Sequence, residues 1–102
     1  MANTNMTKPR FSLGQVLATP GAIAALAVAG QSGHEFLSRH TQGDWGDVCV
    51  EDAALNDEAM IDGSRLLSSY RLKDGTKIWI ITEAADEQGR RAATTTLLPE
   101  EY

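Results

Sequence analysis

Polar residues without periodicity fill Met1 to Arg10, which reads as a disordered lead-in to a single domain over residues 11–102. Apolar positions then take over. Ser12 stands three residues before Gln15, a weak capping box that predicts a short helical turn through Leu17. Thr19-Pro20 is a firmer start: Thr19 suits the cap, and Pro20 the first helical position, where its missing N–H would have no partner anyway. Ala22 to Ala29 follows as a helix, stopped by Gly30. Because it is apolar all round, it is expected to be central or covered by a partner. Ser32 and Glu35 form a second capping box ahead of a helix from Gly33 to His40. Arg39 and His40 fall in its last turn, where cations suit the dipole. After the loop Gly43-Asp44-Trp45-Gly46-Asp47, Asp47 is expected to cap a third helix from about Cys49 to Asp62, closed by Gly63. Its apolar stripe reads as Val50, Ala53, Ala54, Met60 and Ile61.

At Arg65 the period falls to two. Leu66, Ser68, Tyr70 and Leu72 point one way; Arg65, Leu67, Ser69 and Arg71 point the other. Lys73-Asp74-Gly75-Thr76 carries the Asp-Gly signal of a hairpin turn. Lys77 to Glu83 is the strongest strand, β-branched and aromatic, and Ala92 to Leu98 is a threonine-rich third strand ended by Pro99. Helices first and strands afterwards predict an α+β fold, with N-terminal helices packed on a C-terminal three-stranded antiparallel β-meander. The helices should cover one sheet face; Ser69, Arg71 and Glu83 make the other more polar. Open outer edges offer a route to a homodimer.

Composition narrows the function classes. The 102 residues hold nine lysines and arginines against 14 acids, for a net charge of −5. That balance argues against direct nucleic-acid binding, which needs a positive footprint on phosphates. One cysteine, Cys49, excludes a disulfide scaffold. It stands among acids, which disfavour a thiolate, so it reads as a small apolar side chain. No signal peptide is visible, and Ala22 to Ala29 is far too short to span a membrane, so the cytoplasm is the expected location.

Charge is unevenly placed. No lysine or arginine lies between Arg39 and Arg65, an interval that holds seven of the acids. Helical geometry gathers Glu51, Glu58 and Asp62 into one sector. With Asp44, Asp47 and the loop anchor Trp45, which reads first as core and becomes a contact only if exposed, they form a candidate surface for a basic protein partner, a negative face that imitates phosphates. Asp57 falls inside the apolar stripe, where a carboxylate needs a partner: loop N–H groups, the Trp45 N–H or Arg65. His40, Asp44, Asp47 and Cys49 match no metal-ligand spacing, and no cofactor is implied. Ser64, Ser68 and Ser69 lack a nucleophile elbow. Arg65, Arg71, Lys73 and Lys77 gather around the first hairpin, which supports a rival reading as a small nuclease or toxin. A purely structural or regulatory dimer is the third reading.

Several segments carry a family likeness: Leu17-Ala18-Thr19-Pro20-Gly21-Ala22, Gly43-Asp44-Trp45-Gly46-Asp47, Asp74-Gly75-Thr76-Lys77-Ile78-Trp79, and the ending Leu97-Leu98-Pro99-Glu100-Glu101-Tyr102. Over most of its length after Phe11 the chain resembles the short bacterial proteins called plasmid-related, carried on plasmids and genomic islands. It departs from them in an alanine-richer helix after Pro20 and a longer loop from Ala84 to Arg91. The resemblance brings no catalytic residues. It implies a mobile-element setting, and with the acidic block it gives the expectation of a non-enzymatic module that inhibits host DNA-defence machinery, of anti-CRISPR or anti-restriction type.

Overall fold

The computed structural model describes residues 8–102. Its elements run β1 (Gln15–Ala18), α1 (Pro20–Ala29), α2 (Gly33–Thr41), α3 (Val50–Asp62), β2 (Leu66–Arg71), β3 (Lys77–Thr82), β4 (Ala93–Leu97) and a terminal 3₁₀ turn, Pro99–Glu101. The fold is α+β, but the sheet is not a three-stranded antiparallel meander. It has four strands in the order β1-β4-β3-β2, with β1 parallel to β4 and the other pairs antiparallel.

The extra strand is the segment expected to be a helical turn. So few residues cannot offset the cost of nucleating a helix, whereas β4 offers an unpaired edge. Gln15 N–H donates to the Ala92 carbonyl at 3.0 Å, and Thr19 N–H to the Thr96 carbonyl at 3.0 Å. Gly14 makes the approach feasible: its φ is 64°, and a Cβ there would lie 2.1 Å from the Arg91 carbonyl oxygen. Upstream, Lys8 and Arg10 are tied to the end of α2: Arg10 N–H donates to the Thr41 carbonyl at 3.0 Å, and the Gln42 amide to the Lys8 carbonyl. The rest of the expected disordered lead-in lies outside the described residues.

Thr19 caps α1, accepting from Ala22 N–H at 3.2 Å, and Gly30 ends it in the left-handed region. A second acceptor comes from the far end of the chain. The Glu101 carboxylate takes the Gly21 N–H, the Thr19 hydroxyl and the Leu98 N–H, which pins the terminal turn beneath α1. Within the chain α1 is not central: only Ala22 and Leu26 are buried. One flank rests on the sheet, and Ile23 and Val28 face outward.

Strand register puts Leu66, Ser68 and Tyr70 on one sheet face with Ile78, Ile80, Thr82, Thr94 and Thr96. Helices cover this face. Phe36 of α2 and Leu26 of α1 join Tyr70, Leu72, Ile78 and Ile80 in one apolar cluster; Phe11, Trp45, Ala59 and Leu66 form a second. His40 touches the second cluster, with its ring centroid 5.3 Å from that of Phe11 and 5.6 Å from that of Trp45. On the opposite face Trp79 meets Tyr102 edge to face. Ser69, expected on a polar surface there, is buried because a loop lies against its backbone.

That loop and α3 together close the outer edge of β2. Ser69 N–H donates to the Trp45 carbonyl at 3.0 Å, and Asp47 N–H donates to the Ser69 carbonyl at 2.6 Å. Two residues back, the Asn56 side-chain amide imitates a neighbouring strand. Its Nδ2 donates to the Leu67 carbonyl at 2.8 Å, and its Oδ1 accepts from Leu67 N–H at 3.2 Å. This bond pair sets the rotation of α3. Ala53, Asn56, Ala59 and Met60 face the body, while Val50 and Ile61 of the expected apolar stripe are 83% and 89% exposed. The helix is therefore turned by about a quarter of a revolution from the apolar pattern.

Asn56→Ala should lose both edge bonds and about 2 kcal/mol of stability in urea unfolding. Gly46→Ala should cost at least as much, because at φ 75° its Cβ would meet the Ser69 carbonyl oxygen at 2.0 Å. Unchanged urea midpoints in both variants would contradict this account of the edge.

Candidate functional site

The most catalytic-looking constellation is internal. His40 Nδ1 lies 2.6 Å from Ser68 Oγ, and Nε2 lies 2.8 Å from Thr82 Oγ1. Thr82 Oγ1 lies 2.8 Å from Thr94 Oγ1, which donates to the Leu13 carbonyl at 2.8 Å. Counting donors assigns the direction. Thr94 spends its proton on Leu13, so Thr82 donates to Thr94 and must itself accept from His40 Nε2–H. His40 Nδ1 is then the acceptor for the Ser68 hydroxyl. Burial, with the nearby Arg91 charge adding to it, lowers the His40 pKa to about 4, so the imidazole is neutral. A serine hydroxyl on a neutral histidine is the geometry of a general-base pair. Here His40, Ser68 and Thr82 are all completely buried, so no substrate reaches them. The chain is a structural tie. The expectation that His40 serves the helix dipole as a last-turn cation is corrected: its ring is neutral and turns inward, on the same side of α2 as Phe36.

The six expected partner-binding residues do not form one patch. Asp44 is paired with Arg39, which donates from Nε at 2.7 Å and from Nη2 at 3.3 Å. That hydrogen-bonded guanidinium, assisted by the Gly46 N–H, holds the Asp44 carboxyl below the usual carboxylate range. Arg39 also lies over the Tyr70 ring, whose hydroxyl donates to the Asp44 carbonyl at 2.6 Å. Asp47 lies 3.9 Å from Arg71. Trp45 is buried rather than an exposed anchor: it stacks on Phe11, and its Nε1–H donates to Asp57 Oδ1 at 2.9 Å. Asp57 is exposed, not inside a core stripe, because α3 is rotated. Arg65 does not meet it; Arg65 donates to the Tyr102 hydroxyl at 2.6 Å and lies over that ring.

What remains is the outer face of α3. Glu51, Glu58 and Asp62 are exposed and lie within about 40° of one another around the axis. Among the described residues none of the three makes an ion pair. Asp62 accepts the Ser64 N–H at 2.9 Å, and its bonds from Ser64 hold its carboxyl below the usual range. Beside the acids, Val50, Leu55 and Ile61 are exposed large apolar side chains. Sequence reasoning assigned Val50 and Ile61 to the interior and passed over Leu55. A helical wheel turned to put Asn56 inward would have exposed all three.

The basic cluster also divides. Arg71 is opposite Lys77 at the hairpin end of β2, whereas Arg65 precedes the other end of that strand and lies beside Tyr102. Arg91 was missed altogether. Its guanidinium is buried and donates to the carbonyls of Ser64, Glu83 and Ala59 at 2.8, 3.0 and 2.9 Å, which satisfies the end of α3. Cys49 is exposed at the cap position of α3. Among the described residues no three of His, Cys, Asp and Glu converge on a metal position, and no helix is long and apolar enough to cross a membrane.

Compared with protein-family models, with curated proteins and with solved structures, the chain gives no match.

The His40 tie carries a pH dependence. Its folded pKa is about 4 against an ordinary 6.5, so the unfolded chain binds the proton first as pH falls. The contribution is complete above pH 6.5 and is lost progressively towards pH 4, on the order of 3 kcal/mol at most. Urea midpoints measured across this window should fall for the native chain and follow a flatter course for His40→Gln. Equal slopes would remove His40 as the cause.

Proposed function

We propose that the protein is a non-enzymatic interaction module whose α3 outer face docks on a basic surface of another protein. The single observation behind this reading is the row Glu51, Glu58 and Asp62, exposed and without ion partners among the described residues, flanked by Val50, Leu55 and Ile61. The two components suit different steps of binding. Unpaired carboxylates steer encounter and select sign. Exposed apolar side chains supply the desolvated contact that gives a complex its lifetime. Asp44 and Asp47, already held by arginines, contribute less.

The partner chemistry that fits is a cationic groove built to hold phosphates, with apolar walls beside it. In the mobile-element setting implied by the plasmid-related resemblance, that partner is a component of host DNA-defence machinery, met in the cytoplasm. Occupying such a groove would inhibit by exclusion of nucleic acid and needs no turnover.

Affinity capture from a bacterial host should retain a basic protein that is released by salt and by an added polyanion such as heparin. The E51K/E58K/D62K chain should bind that protein about tenfold more weakly or worse, with its far-ultraviolet circular dichroism unchanged. Retention that ignores salt, heparin and the triple substitution would rule the reading out.

A further inference from the structure

The two edges of the sheet are treated differently. Along β2 the outward N–H and C=O groups of Leu67 and Ser69 are bonded by Asn56, Trp45 and Asp47. Among the described residues nothing comparable lies along β1. Gln15 and Thr19 bond to β4, so the alternation of a parallel ladder turns the N–H and C=O of Val16 and Ala18 away from the sheet. All four residues of β1 are exposed, with Val16 at 54% and Leu17 at 42%. The edge carries no lysine, no proline and no bulge, the usual devices that keep a bare strand from pairing.

From these observations we infer that β1 pairs antiparallel with the β1 of a second copy of this chain, across a two-fold axis at Leu17, to form one continuous sheet. Charge selects the occupant. No Asp, Glu, Lys or Arg occurs from Phe11 to His34, the segment that forms β1 and α1, although the chain as a whole carries −5. A two-fold interface sets each surface against itself. The acidic face of α3 would meet its own charge, whereas β1 itself is uncharged, and the carboxylate beside its end, Glu101, is already engaged by the Thr19 hydroxyl and by the Gly21 and Leu98 N–H groups. The strand equally offers no charged group with which to select a foreign peptide.

Geometry supplies a register. When Leu17 faces Leu17 of the second copy, Val16 N–H and C=O meet the C=O and N–H of the second copy's Ala18, and the symmetric pair does the same. Every outward backbone group of Val16 and Ala18 then has a partner. The axis is perpendicular to the sheet, so the helices of both copies stay on the same side. Since α1 leaves β1 after one residue, Thr19, its outward Ile23 begins close to the shared edge, and Ile23 is 57% exposed.

Sedimentation equilibrium of the full chain across a broad concentration range should show a reversible monomer–dimer equilibrium, with Val16 and Ala18 amides protected from hydrogen exchange only in the dimer. Leu17→Lys sets like charges opposite each other, and Ala18→Pro removes an outward donor at a position where an edge strand tolerates proline. Each should raise the dimer dissociation constant about tenfold or more while preserving the far-ultraviolet circular dichroism of the monomer. E51K/E58K/D62K should leave dimerisation unchanged, which separates this inference from the α3 reading. A chain monomeric at every concentration, or a dimer indifferent to both β1 variants, would overturn it. Binding of an unrelated extended peptide in place of a second copy would overturn it as well.

Discussion

One neutral imidazole holds the layers together. His40 belongs to α2, yet its two nitrogens engage Ser68 of β2 and Thr82 of β3, and the chain of hydroxyls continues through Thr94 of β4 to the carbonyl of Leu13 before β1. A half-satisfied polar chain in this interior would be worse than an apolar one. The arrangement therefore demands that helix and strands be in register at once. The edge contacts with Phe11 and Trp45 add an apolar collar around the ring. The left-hand and right-hand parts of the core, one built on Phe36 and Tyr70 and the other on Trp45 and Leu66, are thus joined by a polar tie rather than by continuous apolar packing.

The second organising constraint is the satisfaction of backbone at the sheet edge. Asn56 and the 45–47 loop serve as the missing neighbour of β2, and this is what orients α3. Turning Asn56 inward turns Val50, Leu55 and Ile61 outward beside Glu51 and Glu58. A surface with both charge and apolar contact is a by-product of closing an edge. The opposite edge, β1, is left with its donors and acceptors directed away from the sheet. Two surfaces of contrasting chemistry result: an anionic helix face at one side and an uncharged strand edge at the other.

Much of this was legible in the chain because it depends on residues close in sequence. The Thr19-Pro20 start and Gly30 stop of α1 follow from unsatisfied helix-end groups and from the freedom of glycine at positive φ. Asp74-Gly75 makes its turn by a bond from Thr76 N–H to the Asp74 carboxylate, a contact two residues long. The extent of α3 and the clustering of Glu51, Glu58 and Asp62 need only the period of the helix. Of the candidate site, the acidic row was readable on those grounds. Its apolar companions were not, since hydrophobicity alone sends Val50 and Ile61 to the interior.

The sequence by itself determined where α1 and α2 begin and where α1 and α3 stop, where the hairpin turns, and which charges share a helical sector, because local hydrogen bonding and fixed periods decide those matters; Asp47 does not cap α3, whose cap position is Cys49 without a side-chain bond. Tertiary structure alone decided that Gln15–Ala18 is a strand, that α3 rotates on Asn56, that Arg91 and His40 point inward, and that Arg39 and Arg71 take up Asp44 and Asp47. Most of these rest on a partner more than twenty residues away, and the nearer ones, Arg39 with Asp44 and Asn56 with Leu67, join residues across a loop whose path the fold sets. A buried donor or acceptor must be satisfied by whatever the fold brings beside it, and no local pattern records which group that is.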